Sequence, residues 1–163
     1  MGYDVRGVIA GTALAEVIAV EFGPGTRAVG LEQGFALVPY TGTAYDHFLG
    51  RHGEPLHPFG SLRATVAALL ADASRGGPVA YVEADYFGGT GQQHAAVWDG
   101  GVLAWGPMTI VFRQKTPPQG TAISQALRRL GVISPDESQD EFDAVGLRRH
   151  RHLEDWLPEM EIY

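Results

Sequence analysis

The chain has 163 residues, no cysteine, and a formal net charge of −7 from 12 basic and 19 acidic side chains. That length, with 45% hydrophobic and 19% charged residues, fits one globular domain with a sizeable core and excludes wholesale disorder. The missing cysteine excludes disulfides, thiolate nucleophiles and cysteine-ligated zinc or iron–sulfur centres. The acidic surface opposes nucleic-acid phosphate and anionic membranes, so neither is expected as a partner, and it suits a basic protein instead. Solubility alone also accounts for a charge of this size.

Tyr3 to Ala10 alternates as a strand. Thr12 can cap a helix from Ala13 to about Phe22, with Leu14, Val17, Ile18 and Phe22 on one face; a strand over Val17–Phe22 is the rival reading. The N-terminus has no signal-peptide pattern, and the apolar run Ala13–Val20 is too short to span a bilayer. A cytoplasmic protein is therefore expected. Gly23-Pro24-Gly25 ends the first helix. Arg27–Leu31 and Phe35–Pro39 read as a hairpin around Gln33-Gly34. Thr43-Ala44-Tyr45-Asp46 resembles a capping box, and Tyr45, Phe48 and Leu49 supply the buried stripe of a short helix. A loop rich in Pro, His and Gly follows, from Arg51 to Phe59.

A clear helix is expected from Ser61, with Leu62, Val66, Leu69, Leu70 and Ala73 on one face and Gly76-Gly77 as its stop. Pro78 opens a central strand. Asp99-Gly100-Gly101 marks a hairpin between Ala95–Trp98 and Val102–Trp105. Gly106-Pro107 breaks the pattern, and Met108–Phe112 forms a further strand. After Pro117-Pro118, Thr121 caps a helix with Ile123, Ala126, Leu127 and Leu130 inward, closed by Gly131. In the last thirty residues the acids concentrate: nine of the nineteen fall there, against three arginines. Ser134-Pro135-Asp136-Glu137 reads as a helix start, and Leu153, Trp156 and Leu157 as an apolar stripe that docks the tail. The sum is a single α+β domain over 1–163. It has a mostly antiparallel sheet, helices packed on one face, and an acidic helical C-terminal segment at about 134–163.

The chemistry concentrates in Ala80–Trp98, read as strand, glycine loop and strand. Val79, Tyr81, Glu83 and Asp85 share one face, and Ala80, Val82, Ala84 and Tyr86 the other. Glu83 and Asp85 then sit about 7 Å apart along the strand. With His94 on the return strand they are the catalytic candidates, able to divide acid from base roles or to approach a divalent metal. The chain lacks rigid metal-ligand spacing, so neither metal nor cofactor is expected. Partners on the exposed face of an antiparallel sheet account for the same residues without catalysis. Gly88-Gly89-Thr90-Gly91 is not a phosphate cradle, because a strand and not a helix follows it. The glycines instead suit a wide turn.

Tyr81, Asp85, Tyr86, Phe87, Gln92 and Gln93 are the candidate binding residues, since aromatics beside hydrogen-bonding amides suit interfaces. In the tail, His150 can pair with Glu154, and Arg151 with Asp155, across one helical turn. No serine lies in a nucleophile elbow, and Ser61 and Ser134 read as helix caps.

The block Glu83-Ala84-Asp85-Tyr86-Phe87-Gly88-Gly89-Thr90-Gly91-Gln92 followed by Ala95-Ala96-Val97-Trp98, together with Ile123–Gly131 and Asp143–Leu147, resembles a family of small bacterial proteins of unassigned function. The resemblance covers most of the chain and implies no activity and no catalytic residues. In size and acidity the chain is also similar to immunity proteins of bacterial toxin systems. The expected function is a non-enzymatic, cytoplasmic protein-binding module, of immunity type, that neutralises a basic partner. The alternative is a small hydrolase or metal-dependent enzyme using Glu83, Asp85 and His94.

Overall fold

The computed structural model describes residues 2–87, 90–112, 117–136 and 138–157. Six strands form one sheet: β1 (Tyr3–Gly11), β2 (Val29–Gly30), β3 (Phe35–Pro39), β4 (Val79–Phe87), β5 (Thr90–Asp99) and β6 (Val102–Val111). Their order is β2-β3-β1-β4-β5-β6, and every neighbouring pair is antiparallel. This is the expected α+β fold.

Helices extend beyond the expected one face and cover both. The reason lies in the central strands. In β4, Val79 and Tyr81 enter one core, while Ala80, Val82 and Ala84 enter the other. A strand apolar on both sides has to be covered on both sides. The first core lies under α1 (Thr12–Glu21), α2 (Gly42–His47) and α3 (Ala64–Ala73). The second lies under α4 (Ala122–Leu130), α5 (Glu141–Val145) and short 3₁₀ turns at Leu147–Arg149 and Leu153–Trp156. Phe142, Val145, Leu147 and Trp156 bury themselves there, so the tail is part of the domain.

Gly7 in β1 shows how tightly the sheet is built. A Cβ at this position would stand 2.4 Å from the Val38 carbonyl oxygen of β3, so only hydrogen fits.

Several boundaries moved. Thr12 is the first helical residue of α1 rather than its cap, and its hydroxyl donates to the Gly34 carbonyl. The buried face of α1 runs through Ala15, Ile18 and Ala19, while Val17 is 59% exposed. Small alanines let the helix lie close on the sheet, which a periodicity weighted by large side chains does not register. The same bias placed Leu49 inward, where it is 71% exposed; Ala44 takes that role. Thr41, not Thr43, caps α2. α3 begins at Ala64, because the Ser61 amide is spent on Glu83. β6 runs unbroken through Gly106-Pro107, with the irregularity taken up as register shifts against β5. In the tail, Asp140 rather than Ser134 caps a helix. Ser134 donates instead to the Asp136 carbonyl, and Glu137 lies outside the described residues. The expected face of α4 and its Thr121 cap form as read.

Candidate functional site

β4 and β5 form the hairpin that the central stretch implies, and their pairing reaches further toward its tip than a turn over Gly88–Gly91 allows. Phe87 pairs with Thr90 and Tyr86 with Gly91, so Thr90 and Gly91 belong to the strand. Gly88 and Gly89, which complete the expected wide turn, lie outside the described residues. Gly91 has φ 155°, and a Cβ there would stand 2.4 Å from the Asp85 carbonyl oxygen. This glycine therefore serves the close approach of the two strands.

On the face of α1 and α3, the register sets Arg6 of β1, Glu83 of β4, His94 of β5 and Thr109 of β6 in one row. Residues directly opposite on neighbouring strands touch. Glu83, Asp85 and His94, the catalytic candidates, line a single hollow of about 260 Å³ with Asp4, Arg6 and Ser61. The hydrogen bonds show what holds these groups. Glu83 Oε1 accepts from the Gly60 amide at 2.7 Å. Its Oε2 accepts from the Ser61 amide at 3.0 Å and from the Tyr81 hydroxyl at 2.6 Å. Arg6 donates from Nε to the Tyr40 carbonyl at 2.8 Å and from Nη1 to Ser61 Oγ at 3.2 Å. The carboxylate and the guanidinium together pin the loop before α3 to the sheet.

Tyr81 is fully buried in the first core, and only its hydroxyl reaches this network. Burial, then the neighbouring Glu83 charge, raise its pKa well above the ordinary range, so it remains a donor. His94 is 6% exposed, with Nδ1 2.8 Å from Thr109 Oγ1 and its ring edge-on to Phe59. Burial lowers its pKa, against the pull of Glu83. Neutral His94 is therefore the stable form at physiological pH. Asp85 lies two residues further out, exposed near the hairpin tip. Among the described residues, no three His, Asp or Glu side chains are grouped to hold a metal ion.

The binding candidates divide in the same way. Asp85, Phe87 and Gln92 are exposed, Phe87 at 74%. Gln93 is buried on the opposite face, where its Nε2 donates to the Tyr86 hydroxyl and its Oε1 accepts from the Ile123 amide at 2.8 Å. This one side chain fastens the start of α4 to the sheet. The residues not anticipated are Arg6, Gly60 and Ser61. A basic residue inside a strand and a glycine in a loop carry no local mark of a partner more than twenty positions away.

The outer strand β6 completes the picture. Its sequence, Val102-Leu103-Ala104-Trp105-Gly106-Pro107-Met108-Thr109-Ile110-Val111, contains no charge. Val102 is 63%, Leu103 49% and Val111 38% exposed. No strand pairs with its outer edge among the described residues. Among those residues, too, no helix is long and apolar enough to cross a membrane. Comparison with protein-family models, with curated proteins and with solved structures gives no match for this chain.

Proposed function

We propose that the chain is a non-enzymatic protein-binding module that offers the free edge of β6 to an extended strand of a partner. One observation carries this reading: a ten-residue edge strand without a charge, flanked by exposed apolar side chains. Free-standing proteins blunt such edges with charges, short strands or cover, because unpaired N–H and C=O groups recruit other strands. Strand addition uses these groups for affinity and the alternating side chains for specificity. Pro107 lacks an N–H and divides the edge in two, so Val102–Trp105 and Met108–Val111 are the two pairing segments. Phe87 and Val111 add apolar surface near the hairpin tip. The net charge of −7 favours a basic partner, and a cytoplasmic immunity-type protein is the form of this reading that the charge suits.

The test is capture from the native host with wild type and with Leu103→Lys. Loss of the captured protein with Leu103→Lys, and its retention with the control Glu16→Ala, exposed on α1, supports the edge. Equal capture by wild type and Leu103→Lys removes it.

The enzymatic reading has one observation in its favour, the shared hollow of Glu83, Asp85 and His94. Against it stands the commitment of both Glu83 oxygens to three donors within the protein. An acid or base in that role has to reach a substrate proton.

A further inference from the structure

The face of the sheet opposite to Glu83 carries a cavity that the edge-binding reading does not use. It encloses about 380 Å³, within the usual range for small-ligand sites. It lies where β1 and the β4–β5 hairpin meet the starts of α4 and α5. Four aromatic rings wall it: Tyr3, Tyr86, Phe112 and Phe142. They form a connected set. Tyr3 stacks on Tyr86 with centroids 5.6 Å apart and an interplanar angle of 29°, and meets Phe142 at 5.5 Å. Tyr86 meets Phe112 edge-on at 4.2 Å.

Arg148 and Arg151 also line the cavity, against the single acid Asp140. The acid is partly spent, since its Oδ1 accepts from the Asp143 amide at 2.9 Å and caps α5. Arg148 lies over the Phe142 ring and commits its Nε to Asp143, leaving its terminal nitrogens as donors for a ligand. The Tyr86 hydroxyl accepts from Gln93, so its own proton is available to an acceptor in the cavity. Burial pushes its pKa up to about 12, which keeps that proton in place at neutral pH. The Tyr3 hydroxyl is already used, donating to the Leu147 carbonyl at 2.7 Å.

Aromatic walls select a flat ring by stacking, and guanidinium with a phenol donor selects a carboxylate. We infer that this cavity binds a small planar aromatic carboxylate, with its ring among Tyr3, Tyr86, Phe112 and Phe142 and its carboxylate on Arg148 and the Tyr86 hydroxyl. The cavity faces away from the Glu83 network, and ligand binding there requires no partner protein.

Calorimetric titration of the isolated protein tests this with 2-naphthoate and with 2-naphthalenemethanol, which has the same ring and no charge. The expected result is saturable binding of one 2-naphthoate per chain, at least tenfold tighter than the alcohol. Tyr86→Phe keeps the ring and the walls, and is expected to weaken 2-naphthoate about fivefold while leaving the alcohol unchanged. Arg148→Gln is expected to weaken it more, with a thermal melt to show that the variant is folded; if it is not, Tyr86→Phe decides. Absence of saturable 2-naphthoate binding at millimolar concentration overturns the inference. So does equal affinity for the alcohol, or no effect of Tyr86→Phe.

Discussion

The two edges of the sheet are built in opposite ways. At one end β2 has two residues, and the surrounding chain covers it. Arg149 Nη1 donates to the Gly30 carbonyl at 2.8 Å. The Glu32 amide donates to the Val145 carbonyl at 2.9 Å. The Gln33 side chain brackets Ile133, accepting from its amide and donating to its carbonyl, both at 2.9 Å. At the other end β6 has ten residues and no charge, with its outer backbone groups unpaired by any strand among the described residues. The same chain therefore closes one edge with long-range hydrogen bonds and, among the described residues, leaves the other without a paired strand. Because an open apolar edge is a hazard unless it is used, the contrast ties the closed edge to stability and supports the proposal that the open one binds a partner.

The largest expected effect separates these roles. Leu103→Lys combined with Val111→Lys places two charges on the open edge. It is expected to weaken partner binding by about 100-fold or more, the scale of a lost hot spot, while shifting stability by no more than about 0.5 kcal/mol. Surface plasmon resonance and urea unfolding on the same preparations measure both.

Glu83→Gln has the opposite signature. An amide cannot accept from three donors as the carboxylate does, so the loop before α3 loosens. The expected cost is about 2–3 kcal/mol in urea unfolding, because hydrogen bonds to a charged acceptor are lost. Partner binding stays within about twofold of wild type. A large loss of binding with unchanged stability would move the working surface from the edge to the Glu83 hollow.

At the closed edge, Gln33→Ala removes both bonds to Ile133 and keeps a side chain at φ 62°. The expected loss is about 1–2 kcal/mol. Gln33→Gly relieves the backbone at that φ and recovers part of it, which separates the amide's contribution from the conformational one. Neither variant is expected to alter partner binding.

The smallest effect is on pH dependence. The Asp4 carboxylate beside His152, 2.9 Å from Nδ1, raises the histidine's pKa above its ordinary 6.5. A raised folded pKa gives stabilisation that is complete below pH 6.5 and fades as pH climbs through the folded value. His94 has the reverse sign: burial lowers its pKa, so its contribution is complete above 6.5 and fades as pH falls toward the folded value. Melting temperature against pH is therefore expected to decline on both sides of a maximum near pH 6.5. His152→Ala should flatten the alkaline limb and His94→Gln the acid limb.

What the sequence revealed was mainly what neighbouring residues decide among themselves. The inward face of α4 and its Thr121 cap follow from local spacing, as does the turn after Asp99. Glu83 and His94 could be placed near one another because a hairpin joins their strands. The helix expected from Ser61 begins three residues later, at Ala64, because the amides of Gly60 and Ser61 answer to Glu83, a demand invisible in the local pattern. The tail reads as pairing His150 with Glu154 and Arg151 with Asp155, and it offers no sign that His152 between them meets Asp4 at the other end of the chain. The aromatic cavity joins Tyr3 to Phe142 and Arg148, and no spacing rule links such distant positions. Burial on both faces of β4 was hidden by Tyr81, Glu83 and Asp85, which read as one polar ledge. In fact Tyr81 lies in the core, Glu83 at its border and Asp85 outside.

Hydrogen exchange of the backbone amides, free and with the captured partner bound, tests the open edge most directly. Strand addition predicts that amides within Val102–Trp105 or Met108–Val111 slow by tenfold or more in the complex, while those of β2 and β3 do not change. A complex that protects another surface and leaves β6 at its free rate would contradict it.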